Sequence, residues 1–207
     1  MNVPAKPKAA WNGDPPQVAA ARARLLAAAA RCIARDGLAG TSMAAVAAEA
    51  GVSRQTVYRY FTGRDNLARQ TIFSTADTLA EQITSYVAEL SDPADVFVEA
   101  MVMSLAKARS DPVLHAIWDS ASPDGLVAGI FTHPAGIAWM RRALARGVEL
   151  AGWNDADADT AIEFYLRIGL SLMISGLPER NDDELRAFLY RHLVPGLGLA
   201  VSEAVPE

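Results

Sequence analysis

The stretch GVSRQTVYRYF, residues 51–61, sets two arginines and two tyrosines side by side on one short segment with no acid in it. Gly51 permits the left-handed backbone of a tight corner, and Ser53 can cap a helix that starts at Arg54. At about 100° per residue, taking Arg54 as zero puts Tyr58 near 40°, Gln55 near 100° and Arg59 near 140°, whereas Val57, Tyr60 and Phe61 fall between about 240° and 340°. The polar and apolar sides separate. Val57 and Phe61 are expected to hold this helix on a core with Val46 and Val52, leaving Arg54, Gln55, Tyr58 and Arg59 to project outward.

Upstream, a short helix following Thr41 or Ser42, either of which can cap it, ends at Gly51. Two short helices joined by EAGVS meet the requirement of a helix-turn-helix, in which the first supports and the second reads. Before them, a helix is expected to begin after Asp14-Pro15-Pro16 and run to Asp36, with Leu25, Leu26, Ala29, Cys32 and Ile33 on one face and Gly37 as its stop. After them, a long helix from about Arg64 to Leu90 precedes breaks at Asp92-Pro93, Asp111-Pro112, Ser122-Pro123, His133-Pro134, Gly152, Pro178 and Pro195. Alanine and leucine abound and alternating β-branched runs are scarce, so the chain reads as all-α with nine or ten helices.

A chain of 207 residues with 51% hydrophobic content can bury a sizeable core. Its net charge of −5 conceals an asymmetry: residues 1–72 carry ten Lys and Arg against four acids, a net +6, whereas residues 73–207 carry nine against twenty, a net −11. A basic N-terminal segment suits a polyanion such as nucleic acid, which the acidic remainder would repel. No apolar stretch is long enough to cross a bilayer and the N-terminus lacks a signal-peptide core, so a cytoplasmic location is expected. The single cysteine, Cys32, excludes an internal disulfide and reads as a small buried apolar residue.

Residues 41–67, TSMAAVAAEAGVSRQTVYRYFTGRDNL, resemble without gaps the DNA-binding signature of TetR-type bacterial transcriptional regulators, through Thr41, Ala47, Ala50, Gly51, Val52, Ser53, Tyr58, Phe61 and Leu67. With the preceding helix, the resemblance covers about residues 17–70. It implies that Thr41 or Ser42 opens the supporting helix near a phosphate, where a hydroxyl and free amides suit an anion. Arg54 stands where the family often has lysine, and Thr56, Tyr58 and Tyr60 stand where it has backbone-contacting hydroxyls. Arg64 replaces the usual lysine at the start of the fourth helix, keeping a phosphate-contacting charge. Gln55 departs from a common glycine, and in a major groove it could pair bidentately with adenine or simply face solvent. Gly63 departs from a common serine cap. The implied DNA-binding set is Thr41, Ser42, Ser53, Arg54, Gln55, Thr56, Tyr58, Arg59, Tyr60 and Arg64, with Lys6 and Lys8 in the N-terminal tail either a basic arm or part of a disordered segment without contacts.

Toward the C-terminus, DADTAIEFYLRIGLSLMISG aligns Ile162, Tyr165, Leu166, Gly169, Leu170, Met173 and Ile174, and NDDELRAFLYRHLVPGLG aligns Leu185, Phe188, Leu189, His192 and Leu193, with Asn181 or Asp182 as cap. These segments resemble the helix pair through which the family dimerises, which makes Tyr165, Gly169, Leu170, Met173, Leu185, Phe188, Leu189 and His192 the candidate interface. Between the two ends lie Phe97, Met101, Leu105, Trp118, Phe131, Trp139, Met140 and Phe164. These soft, wide residues either fill a core or line an apolar effector cavity, with Arg109, His115 and Arg167 as orienting polar groups.

The expected organisation is a disordered tail over 1–16, a helix-turn-helix domain over 17–63, and an effector-binding and dimerisation domain over 64–207. The expected function is that of a sequence-specific regulator, a repressor released from a palindromic operator by a small, largely hydrophobic effector. The alternative is a helical ligand-binding or interaction protein without specific DNA binding. Enzymatic activity is not expected: SLAK, Ser104 to Lys107, has a Ser-x-x-Lys spacing without its companion motifs. His115, His133 and His192 stand apart from any metal-binding partner, and no cofactor or metal is implied.

Overall fold

The protein is described here by a computed structural model covering residues 18–119, 134–174 and 180–200. The expected tail with Lys6 and Lys8, and Phe131 and His133, lie outside the described residues. Within them are ten helices and no strand. Contacts divide the chain into two compact units, one ending at Thr75 and the other starting at Ala76.

In the first unit, α1 (Val18–Gly40) is broken at Gly37, whose φ of +73° a side chain would rarely tolerate. The helix α2 (Met43–Glu49) starts from Ser42, whose Oγ accepts a hydrogen bond from the Ala45 amide at 3.1 Å. Thr41, which the sequence leaves as an equal candidate for that cap, turns its hydroxyl back onto the Gly37 carbonyl at 2.9 Å and is buried. Gly51, at φ +67°, makes the corner, and α3 (Arg54–Tyr60) opens on Ser53, whose Oγ accepts from the Thr56 amide at 3.1 Å. Leu25, Ala28, Ala29, Cys32, Met43, Val46, Ala47, Val57, Phe61 and Leu67 close over one another as the core. Val57 and Phe61 are fully buried, so each contributes about 1.5–3 kcal/mol by leaving water. Burial also pushes the Cys32 thiol above its ordinary pKa, as an unreactive core residue requires.

Polar ties reinforce this core at its edges. Glu49 accepts from Arg31 at 2.7 Å and Arg35 at 3.2 Å, and the Arg24 guanidinium donates to the Ala50 carbonyl at 3.2 Å, where α2 has run out of its own donors. The helix α4 (Arg64–Val87) contains the division between the units.

In the second unit, α5 (Pro93–Ser110) packs against α6 (Pro112–Asp119), α8 (Ala145–Ala151), α9 (Asp155–Ile174) and α10 (Asp182–Gly196). It starts cleanly because Asp92 caps the Ala94 amide at 2.8 Å and Pro93, which has no amide to satisfy, follows at once. Nearly all of its faces are covered: Val96, Phe97, Val98, Ala100, Met101 and Val102 are buried. Phe97 meets the rings of Trp153 at 5.3 Å and Tyr165 at 5.7 Å. A charged link crosses the same region, where Arg186 forks onto Glu99 at 2.6 and 3.2 Å and Tyr86 donates to Glu99 at 3.1 Å. The helix α7 (Pro134–Ala143) packs on α9, and its Trp139 indole donates to Asp77 at 2.5 Å. α10 begins with a full capping box between Asn181 and Glu184, so Asn181 is the cap. No helix among the described residues is long and apolar enough to cross a membrane.

Candidate nucleic-acid interface and ligand cavity

The exposed face of α3 follows directly from its sequence. Val57 faces the core, and the 100° step then brings Arg54, Gln55, Tyr58 and Arg59 to the outside, all four exposed. Ser53, Gln55, Thr56, Tyr58 and Arg59 line one shallow surface concavity. Tyr58 is 56% exposed, one of three large apolar side chains so exposed among the described residues. More than half of this side chain is therefore open to contact from outside. Arg54 makes no ion pair or hydrogen bond among the described residues, although Glu49 and Asp36 in the same unit are both claimed by other arginines. An exposed cation left unneutralised suits a polyanion.

Other residues of the expected set are already occupied. The Ser53 and Thr56 hydroxyls lie 3.0 Å apart and share a hydrogen bond at the start of α3. Tyr60 is half-buried against the core, with the Arg59 guanidinium donating to its hydroxyl at 3.3 Å and resting 5.1 Å from its ring centre. Two more residues of that set have partners within the protein. Thr41 is buried with its hydroxyl donating to the Gly37 carbonyl, and Ser42 alone caps the start of α2. Arg64 donates from Nη2 to the carbonyls of Leu38 at 2.7 Å and Ala39 at 3.0 Å, and from Nε to that of Thr41 at 2.9 Å. Its fork therefore satisfies the carbonyls left over where α1 ends, instead of standing free for phosphate.

Comparison with known proteins fits this geometry. Residues 25–71 match the bacterial regulatory proteins of the tetR family. An uncharacterized HTH-type transcriptional regulator of Mycobacterium tuberculosis is 27% identical over 174 residues, 83% of each chain. Over residues 25–71 the chain is thus similar to the DNA-binding region of the tetR family of bacterial regulatory proteins. Solved structures share the fold of the chain. The family repressor AlkX from Dietzia sp. strain DQ12-45-1b aligns with a TM-score of 0.62 at 22% identity, over 92% of this chain and 100% of its own. RolR in complex with resorcinol aligns with a TM-score of 0.64 at 20% identity, over 91% and 96%.

The second unit contains a cavity of about 60 Å³. One water needs roughly 10–15 Å³, so the space exceeds a trapped solvent molecule. Ala76, Leu79 and Ile83 of α4 form one wall, with Met101 and Ser104 of α5 and Leu114 and Trp118 of α6 next to it. Trp139 and Met140 of α7 and Tyr165, Leu166, Gly169, Leu170 and Met173 of α9 complete it. No charged side chain is among these residues.

Of the pocket candidates read from sequence, Met101, Trp118, Trp139 and Met140 line this cavity. Phe97 and Leu105 are buried elsewhere in the core, and Phe164 packs its ring beneath Gly196 at the end of α10. The three polar candidates all point away, because each finds a better place in water. Arg109 is exposed with Asp182 at 3.5 Å, Arg167 is exposed and pairs with Glu163 one turn earlier on α9, and His115 is exposed on α6.

The interface candidates also divide. Tyr165, Gly169, Leu170 and Met173 line the protomer's own cavity, and Leu185 and Leu189 are buried in its core. On α10, His192 is exposed and Phe188 half-buried, with ring centres 4.9 Å apart, and the Arg180 guanidinium lies 4.5 Å from the Phe188 ring. Sequence reading missed the cavity's α4 wall, since Ala76, Leu79 and Ile83 follow an ordinary amphipathic spacing that gives no sign of facing a void.

Proposed function

We propose that this regulator is a cytoplasmic homodimer that reads a palindromic operator through α3 and is released from it by a small apolar effector in the second unit. The observation that carries the DNA reading is the outward face of Arg54, Gln55, Tyr58 and Arg59, with Arg54 left unneutralised. In a major groove, Arg54 and Arg59 would meet phosphates or guanine edges, Gln55 would offer its amide to adenine, and Tyr58 would pack its ring and donate its hydroxyl to a phosphate. Ser42 and the free amides of α2 suit a further phosphate, with Ser53, Thr56 and Tyr60 holding α3 in register.

One such helix contacts too few base pairs for useful specificity, and a two-fold pair separated by about 34–36 Å reads two half-sites. A partner copy would pack on α10 beside the half-buried Phe188 and the exposed His192, with the domains taken as 17–63 for reading and 64–207 for effector binding and dimerisation. The effector reading rests on the uncharged cavity. It is consistent with the two structural relatives, one a repressor implicated in the biodegradation of n-alkanes and one complexed with resorcinol. Effector binding would act by shifting α4, a coupling that needs only about 1–3 kcal/mol to weaken DNA binding roughly 5- to 150-fold.

Selection of bound fragments from the source genome by the purified protein tests this at a fixed salt near 0.15 M, since phosphate contacts make affinity steeply salt-dependent. Enrichment of one or a few palindromes is expected. Enrichment of none would favour the alternative, a helical ligand-binding protein without specific DNA binding.

A further inference from the structure

The cavity contains one polar group that the protein itself leaves unused. Tyr165 is 3% exposed and backs the cavity from α9, with its ring against Phe97. Its hydroxyl makes no hydrogen bond among the described residues, yet no enclosed side-chain nitrogen or oxygen among them lacks a partner. The phenolic oxygen must therefore meet open space, and the open space beside this ring is the cavity. A phenol so placed costs stability when nothing hydrogen-bonds to it, because water is lost without replacement.

Two other polar side chains of the wall, Ser104 and Trp139, are committed. The Ser104 hydroxyl donates to the Ala100 carbonyl at 2.7 Å, which leaves only its acceptor lone pairs. The Trp139 indole donates to Asp77. With no charged side chain among the described residues of the wall, an ionised ligand would meet no counter-charge from them, a far greater cost than burying a neutral oxygen. Burial alone pushes the Tyr165 phenol far above its ordinary pKa, so the group is a neutral donor throughout the physiological range.

We propose that Tyr165 is the specificity-determining hydrogen-bond donor of the cavity, which takes an uncharged apolar ligand bearing one hydroxyl or carbonyl oxygen and rejects carboxylates. This rests on the reading of the cavity as the effector site and adds the chemistry of its occupant. The apolar body would lie among Met101, Trp118, Met140 and Met173, whose long or wide side chains can adjust to its outline. Its single oxygen would accept from Tyr165.

Isothermal titration of the full chain near pH 7 with toluene, p-cresol and 4-methylbenzoate tests the assignment, since the three share one ring and one methyl group and differ in the polar end. For the wild-type protein, p-cresol is expected to bind about 5- to 50-fold more tightly than toluene, and 4-methylbenzoate more weakly than either. Tyr165→Phe keeps the ring and its packing. It is expected to lower p-cresol to the level of toluene and leave toluene unchanged. Equal binding of p-cresol and toluene to the wild type, a preference that survives Tyr165→Phe, or 4-methylbenzoate binding as tightly as p-cresol would overturn the assignment and leave the cavity standing as an effector site. Binding of none of the three would overturn both.

Discussion

The Nε of Arg64 lies 2.9 Å from the carbonyl oxygen of Thr41, and the same guanidinium reaches the carbonyls of Leu38 and Ala39. The first residue of α4 thus closes the corner between α1 and α2. A planar fork with several fixed donors can serve three carbonyls at once, and an ammonium cannot. Arg64→Lys preserves a charge for phosphate but loses the fork. It is expected to destabilise the protein by about 1 kcal/mol or more, nearly as much as Arg64→Ala, in urea unfolding followed by circular dichroism. If Arg64 acted chiefly on phosphate, Lys would behave like the wild type, and Ala would reduce the salt slope of DNA binding by about 0.9.

Gly51 and Gly63 flank α3 and predict opposite responses. Gly51 holds φ at +67°, where any Cβ is strained, so Gly51→Ala should cost about 1–2 kcal/mol although no atom would meet the new methyl group. Gly63 has an ordinary backbone and open space around it, immediately before α4. Gly63→Ser adds a side-chain acceptor at that helix start and should raise stability by a few tenths of a kcal/mol. Melting of the two variants beside the wild type checks both signs.

Tyr165 and Tyr190 are held above the ordinary tyrosine range, Tyr165 by burial and Tyr190 by burial together with its hydrogen bond to Asp95. Since the folded value exceeds the unfolded value, their contribution to stability is complete below about pH 10 and is lost as pH rises beyond it. Titration of phenolate absorbance should show these two groups ionising only with loss of circular dichroism. In Tyr165→Phe, one fewer phenol should be released at that step. Smooth ionisation of all five tyrosines ahead of unfolding would contradict this.

The reading unit was legible because its signals are local. Gly51, Ser53 and the alternation of polar and apolar residues through Phe61 fix a corner, a cap and two helix faces within eleven residues, and Gly37 marks its break through its own backbone. Choosing between Thr41 and Ser42 needed three dimensions, because two adjacent hydroxyls offer the same chemistry and only the direction of the chain decides which amide each can reach. Arg64 escaped for a related reason: its partners are the carbonyls of residues 23 to 26 positions away, and backbone oxygens have no sequence signature. In the second unit, periodicity separates inside from outside but does not separate a wall from a core. Met101 and Phe97 are equally buried on α5, yet only Met101 faces the void. The same limit drew Tyr165 and Gly169 into the expected interface, since a stripe facing a cavity and a stripe facing a partner have the same spacing.

The central claim is that the exposed face of α3 reads a base sequence. The most direct measurement is the affinity of the wild-type protein and an Arg54→Ala, Tyr58→Ala double variant for the most enriched genomic duplex and for a shuffled duplex of the same composition, at about 0.15 M salt. The wild type is predicted to prefer the enriched duplex by about 10³-fold or more, and the double variant to lose at least tenfold of that preference with its fold intact. Equal affinity of the wild type for both duplexes, or a double variant indistinguishable from it, would contradict the account.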